Sequence, residues 1–176
     1  FIEKMKSLRL IPYLLIFFGI FTYENLVRAN PENPKDYKVL AINNKKLSIA
    51  NVEYYIEQGD RLIENSDFDK AKKAYLDARN LATQIARFYS DLNKSFKGVD
   101  ARIPKEMQSK GKKTLKILAK SNGRLATLYI KNKEPEVAVP LLVENIRIMS
   151  PNSSEGKEAY KKLIQLGFVE TTYKGQ

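Results

Sequence analysis

The chain has 176 residues, 43% of them hydrophobic and 29% charged, and a formal net charge of +11. That is long enough for one domain with a modest core and too apolar for wholesale disorder. It holds neither cysteine nor histidine, which excludes disulfides, thiol redox chemistry, zinc fingers and histidine-based general base catalysis together. The missing cysteine suits a reducing or an oxidising compartment equally.

Lys4, Lys6 and Arg9 precede an apolar run from Leu10 to Phe21, which Glu24 closes. As a helix twelve residues rise about 18 Å, against about 30 Å of bilayer hydrocarbon. The run is short for a span but normal for the apolar part of an export signal. Val27-Arg28-Ala29 supplies a cleavage site after Ala29. Two readings stand: residues 1–29 are a cleaved signal peptide, or an uncleaved anchor through residues 8–23 with Tyr13 and Tyr23 near the interfaces. Both place the main domain across a membrane from the cytoplasm. Without these residues the chain still holds 27 basic and 18 acidic side chains. Such a surface attracts nucleic acid, acidic lipid headgroups or acidic protein patches; export removes nucleic acid from that set.

Asn30 to Pro34 reads as a linker because its two prolines restrict themselves and their predecessors. The linker extends over 30–47, with an ambiguous stretch from Asp36 to Lys46. Ser48 is the expected N-cap of a helix running to Glu64. Its apolar positions Val52, Tyr55, Ile56, Leu62 and Ile63 keep helical spacing. Its other face carries Glu53, Glu57, Asp60 and Glu64, which read as a solvated stripe. Asp67 or Asp69 caps a second helix that meets no proline or glycine until Gly98. Gly98 to Ile103 is the sharpest break, and Pro104 suits the first position of a third helix. That helix is expected to continue to Asn132 through Gly111 and Gly123, because Leu115, Leu118, Leu125, Ala126 and Tyr129 stay on one face. Glu136 to Met149 forms a fourth helix. Ser154 caps a last one from Glu155 to Leu166, and Gly167 ends it.

Tyr55, Gly59 and Leu62, then Phe68, then Ala71, Tyr75 and Ala78 put small residues where two helices would meet and large ones around them. This resembles a tetratricopeptide (TPR) repeat, a helix-turn-helix unit of about 34 residues. A second unit, over 119–152, is similar: Leu125, Ala126 and Tyr129 correspond to Gln58, Gly59 and Leu62, and Ala138 and Leu142 to Ala71 and Tyr75. Asn145 replaces the small residue Ala78. The spacing of 67 residues between Ala71 and Ala138 leaves either a decayed middle repeat over 86–118 or two elongated helices, and the missing break near Thr83 selects the latter. The resemblance implies an all-α domain of antiparallel helical hairpins over 48–169, with elongated central helices and a C-terminal capping helix; residues 170–176 read as a frayed, flexible tail. Phe96 to Pro104 and Pro135 to Val143 are similar to a small exported TPR-like family of cyanobacteria and plastids. This implies the periplasm or thylakoid lumen. TPR proteins that clamp a partner's C-terminal carboxylate want a lysine and an asparagine where this chain has Ile56 and Asp60. Lys120 and Arg124 match the later clamp residues, so half the pattern is missing and that function is not carried over.

The candidate partner-binding residues are those of the basic third helix, Lys112, Lys113, Lys116, Lys120, Arg124 and Lys131, and the pair Asp100 and Arg102 at the hairpin tip. From Lys105 to Lys133 there are nine basic residues and one acidic. Such a stripe docks an acidic protein face or an anionic membrane surface, is simply solvated, or meets the Glu53–Glu64 stripe. Enzyme signatures, catalytic residues, cofactor motifs and metal ligands are absent from the sequence. The expected function is a non-enzymatic protein-interaction or assembly module. The alternative is a structural subunit held by its N-terminal helix in a larger membrane complex, a photosynthetic one among those the resemblance suggests.

Overall fold

A computed structural model describes residues 45–173. The signal or anchor segment, most of the linker and the last three residues lie outside the described residues. After a single 3-10 turn at Lys45–Leu47, which touches the first helix, five helices follow: α1 Ile49–Glu64, α2 Phe68–Ser95, α3 Arg102–Lys131, α4 Pro135–Met149 and α5 Ser154–Gln165. The domain is all-α, and no strand occurs among the described residues. Each helix packs on the next in the chain, and α3 also touches α1 on one side and α5 on the other. The helices therefore form a zigzag, with α1, α3 and α5 in one layer and α2 and α4 in the other.

Local chemistry sets the boundaries. The Ser48 hydroxyl accepts the Asn51 N–H at 3.2 Å, and Asp67 accepts the Lys70 N–H at 3.4 Å. At α5 the cap is Ser153, one residue earlier than expected, accepting from Gly156 N–H at 2.9 Å. α3 begins at Arg102 and not at Pro104, because Asp100 takes the Arg102 N–H at 2.9 Å and organises the turn before proline is reached. Residues 86–118 are the outer parts of two continuous long helices, α2 of 28 residues and α3 of 30, with the turn between them. α3 passes through Gly111 and Gly123 unbroken.

Helices α1, α3 and α5 end alike. Each closes with a residue in the left-handed conformation: Ser66 (φ 61°), Lys133 (φ 64°) and Gly167 (φ 77°). In each, that residue's N–H bonds three residues back and the next N–H reaches five back, as in Asp67 to Leu62, Glu134 to Tyr129 and Phe168 to Leu163. This is a Schellman closure, which satisfies carbonyls the helix end would otherwise leave bare. The three closures stand 67 and then 34 residues apart. Beyond the last one, Val169 packs on the core, whereas Phe168 stays exposed. Thr171 and Tyr173 return along α5: Tyr160 donates to the Thr171 carbonyl at 2.7 Å, and the Tyr160 and Tyr173 rings meet edge-on.

The core is continuous from Val52 and Ile56 through Ala71, Tyr75, Ala78 and Leu125 to Leu142 and Leu163. Gly59 is buried, and the space its side chain would fill is taken by Tyr75: a Cβ there would lie 2.4 Å from the ring's Cε1. Phe68, expected beside this contact, begins α2 and is 44% exposed. The second contact is polar. Asn122 is fully buried, donates to Asn145 Oδ1 at 3.1 Å, and accepts from Arg79 Nε at 2.9 Å. Asn145 donates to the Ala119 carbonyl at 2.9 Å, and Glu144 accepts from Arg79 at 2.7 Å and from Asn122 at 3.1 Å. The network joins α2, α3 and α4, and no buried side-chain polar atom among the described residues lacks a partner.

Three stability predictions follow from these contacts. Gly59→Ala lowers stability by about 1–3 kcal/mol through overpacking against Tyr75, despite alanine's better helix propensity. Gly111→Ala, whose new Cβ meets only Tyr89 Cβ at 3.8 Å, raises it by about 0.5–1 kcal/mol. Asn145→Ala removes a second donor from the Ala119 carbonyl and leaves one buried Asn122 N–H without its acceptor, and costs about 1–3 kcal/mol. Urea unfolding midpoints measure all three; equal midpoints for the two glycine variants would contradict the packing account.

Candidate functional site

Lys113, Lys116, Lys120, Arg124 and Thr127 recur at three- and four-residue steps, so they share one face of α3. That face is the floor of a groove of about 550 Å³. α1 forms one wall with Ile49 and Glu53, and α5 the other with Glu155, Glu158 and Lys162. Ile117, Ala119 and Leu142 give the floor an apolar strip. Gly123 also lines the groove, and nothing lies within 4 Å of where its Cβ would stand. A side chain at that position would project into the open space and narrow it.

Most charges in the groove are already matched. Arg124 holds Asp60 of α1 through one guanidinium edge, Nε to Oδ1 at 2.8 Å and Nη2 to Oδ2 at 3.1 Å. Lys116 faces Glu155 at 3.6 Å, and Lys162 faces Glu158 at 3.1 Å and donates to Thr127 at 3.1 Å. The Ser154 hydroxyl, Glu155's own N–H and Lys116 together hold the Glu155 carboxyl below the usual carboxylate range. Among the described residues no carboxylate pairs with Lys113 or Lys120, and both are exposed. The groove therefore offers two free ammonium groups on either side of Lys116, above an apolar strip.

The remaining candidates fall elsewhere. Lys112 is exposed on α3 but does not line the groove. Lys131 lines a smaller pocket of about 240 Å³, which shares Arg124 and Thr127 with the groove. Asp100 and Arg102 pair with each other at 2.7 Å, far along α3 at the hairpin tip. The guanidinium and the backbone N–H of Arg102 hold the Asp100 carboxyl below its ordinary range. The acidic stripe of α1 meets α3 at one point, Asp60 with Arg124. No group of three carboxylates among the described residues could hold a metal ion, and no described helix is long and apolar enough to cross a membrane.

Sequence reasoning missed two partners of the site. Glu155 and Lys162 form the far wall, but the eye is drawn to α3's lysine density; their signal was the spacing of Glu155, Glu158, Ala159 and Lys162 on one face of α5. Tyr75 also matters here. Its ring is buried and its hydroxyl donates to Asp60 at 2.6 Å, the carboxylate that Arg124 grips. It fixes Asp60, which fixes Arg124 between the groove and the smaller pocket. Comparison of the chain with protein-family models gives no match, and comparison with curated proteins and with solved structures gives none either.

Burial, and then the Asp60 carboxylate beside it, push the Tyr75 phenol well above its ordinary pKa, with Arg124 opposing weakly. The unfolded phenol ionises near its usual value of about 10 while the folded one stays protonated. Above that pH the unfolded state holds fewer protons, so this contribution to stability is complete below about pH 10 and declines as pH rises further. Tyr75→Phe is less stable than the wild type by about 1 kcal/mol at neutral pH, and the gap closes in alkali. Denaturant midpoints of both proteins from neutral to strongly alkaline pH check this; a constant gap would refute it.

Proposed function

We propose that residues 48–169 are a TPR-like interaction or assembly module that catalyses no reaction and holds an acidic segment of a partner protein in the groove. The carrying observation is the pair of unmatched lysines, Lys113 and Lys120, over an apolar strip in a groove whose other cations, Lys116, Arg124 and Lys162, each already face a carboxylate, with Glu53 the one lining acid outside those pairs. Such a surface attracts carboxylates without being saturated by its own, and leaves room for an apolar side chain between them. The TPR-like reading draws support from the closures at Ser66, Lys133 and Gly167, whose last interval of 34 residues equals the repeat length. The small residues Ala71, Ala126 and Ala138, each fully buried, sit where that family brings helices together. α5 would then be the capping helix. Its outer face carries Lys157 and Lys161, both exposed, as a terminal repeat requires. The chain would be exported by residues 1–29 and work in a periplasm or thylakoid lumen, where acidic segments of membrane-bound proteins are the natural partners.

The test uses a short fluorescein-labelled peptide of glutamate and leucine and follows its anisotropy. Lys113→Glu with Lys120→Glu weakens binding roughly three- to tenfold or more at low salt. Lys112→Glu, a charge reversal outside the groove, changes it much less. Equal losses for the groove pair and for Lys112 would mean that general basicity, not the groove, attracts the peptide.

A further inference from the structure

Beyond the groove, the charge of the domain is unevenly placed. Residues 45–85 carry seven basic and seven acidic side chains, whereas residues 86–113 carry eight basic and three acidic. The second stretch is the outer part of the α2–α3 hairpin. The fully buried positions of α2 stop at Ile85, and on α3 only Met107 is buried before Thr114. The hairpin thus continues past the core as an arm whose two helices pack on each other. Two of its three acids are neutralised within the arm, Asp100 by Arg102 and Glu106 by Lys110. Near the tip Lys94, Lys97 and Lys105 are exposed, and no carboxylate among the described residues pairs with them.

The apex itself is apolar. Val99 is 78% exposed, more than any other large hydrophobic residue among those described. It sits in a tight turn, where a polar residue would be the ordinary choice. The turn is well made: Gly98 takes φ 86°, and Phe96 accepts both the Val99 N–H at 3.1 Å and the Asp100 N–H at 3.3 Å. The Val99 and Asp100 N–H groups are thereby satisfied within the turn. The tip's cations ring an apolar point, which suits a plane that is negative outside and apolar beneath.

We infer that the arm tip is a contact site for an anionic lipid bilayer. Val99 enters the boundary between headgroups and acyl chains. Lys94, Lys97 and Lys105 lay their methylene stems along it and place their ammonium groups among lipid phosphates. This site does not depend on the groove: it uses other residues at the other end of α3, and either can fail alone.

The absence of native cysteine allows one environment-sensitive nitrobenzoxadiazole dye to be placed on the full-length chain at Val99→Cys, with Asn80→Cys on the body as the comparison. Vesicles of phosphatidylcholine alone and with phosphatidylglycerol are added at low and high salt. The dye at 99 shifts to the blue on anionic vesicles at low salt, not on neutral ones, and the dye at 80 does not. Lys94→Glu, Lys97→Glu and Lys105→Glu together raise the anionic lipid concentration needed for the shift at least about tenfold, with helical circular dichroism retained. The inference is overturned if the dye at 99 stays in water on anionic vesicles, or shifts equally on neutral ones. It is also overturned if RNA or polyglutamate moves the dye while vesicles do not. A shift brought by residues 1–29 alone would appear on both vesicle types and survive the triple reversal, which also counts against the tip.

Discussion

The ring of Tyr75 lies against the bare Cα of Gly59, and its hydroxyl is held by Asp60 on the next residue of the same helix. One side chain therefore fixes both the distance and the register of α1 on α2. The distance comes from glycine, since any Cβ would meet the ring. The register comes from the hydroxyl, which in a mostly buried setting must find a partner and finds only one. Asp60 then faces outward to Arg124, so the same contact sets how α3 lies across α1 and closes one end of the groove.

The second hairpin solves the same packing problem by other means. Ala126 and Ala138, both fully buried, supply the close approach, and orientation comes from amides in place of a phenol. Asn145 stands where the first unit has Ala78 and is 4% exposed. A buried amide needs its full set of partners, and only one placement of α4 on α3 brings Asn145 to both Asn122 and the Ala119 carbonyl. Arg79 and Glu144 extend that demand to α2. Leucines at those two positions would fill volume but would tolerate sliding. The amides tolerate little, and this keeps α3 aligned with its neighbours on both sides.

Much of this was legible in the chain. Element number and type followed from the periodic apolar positions and from Ser48, Asp67, Gly98 and Gly167, because caps and left-handed closures are local chemistry. The continuity of α3 through Gly111 and Gly123 followed from the unbroken stripe of Leu115 to Tyr129. Contacts between distant residues were less legible. Asn122 carries no apolar signal of its own, although its place on the stripe beside Leu118 and Leu125 marks it as inward-facing. Asn145 looked like a lost match, when a polar residue in a small slot signals a buried partner. Phe68 was expected inside because it is aromatic, but it is the first residue of α2 and stays exposed. On the lysine stripe the sequence fixes the angular spread of the side chains and nothing about their opposite numbers. That Lys116 meets Glu155 while Lys113 and Lys120 meet no carboxylate among the described residues depends on where α5 comes to rest.

The placement of charge follows from the lengths of the helices. A domain of five equal helices would have to spread its cations over faces that pack or face each other, where like charges oppose folding. Extending α2 and α3 beyond their neighbours creates surface that buries little, and eight basic side chains stand on or next to it between Arg87 and Lys113. Their mutual repulsion there acts across solvent, screened within about 8 Å at physiological salt. α3 is one helix from the tip to the groove, so its ends cannot turn independently. From Arg102 to Arg124 it spans about 33 Å at 1.5 Å per residue. A tip held against a surface therefore sets the direction in which the groove faces. Gly111 and Gly123 are the points where α3 would bend most easily, and both lie within continuous helix. Gly111 packs against Tyr89 of α2, while Gly123 is kept straight by Asn122 and Arg124 on either side, each bound to another helix.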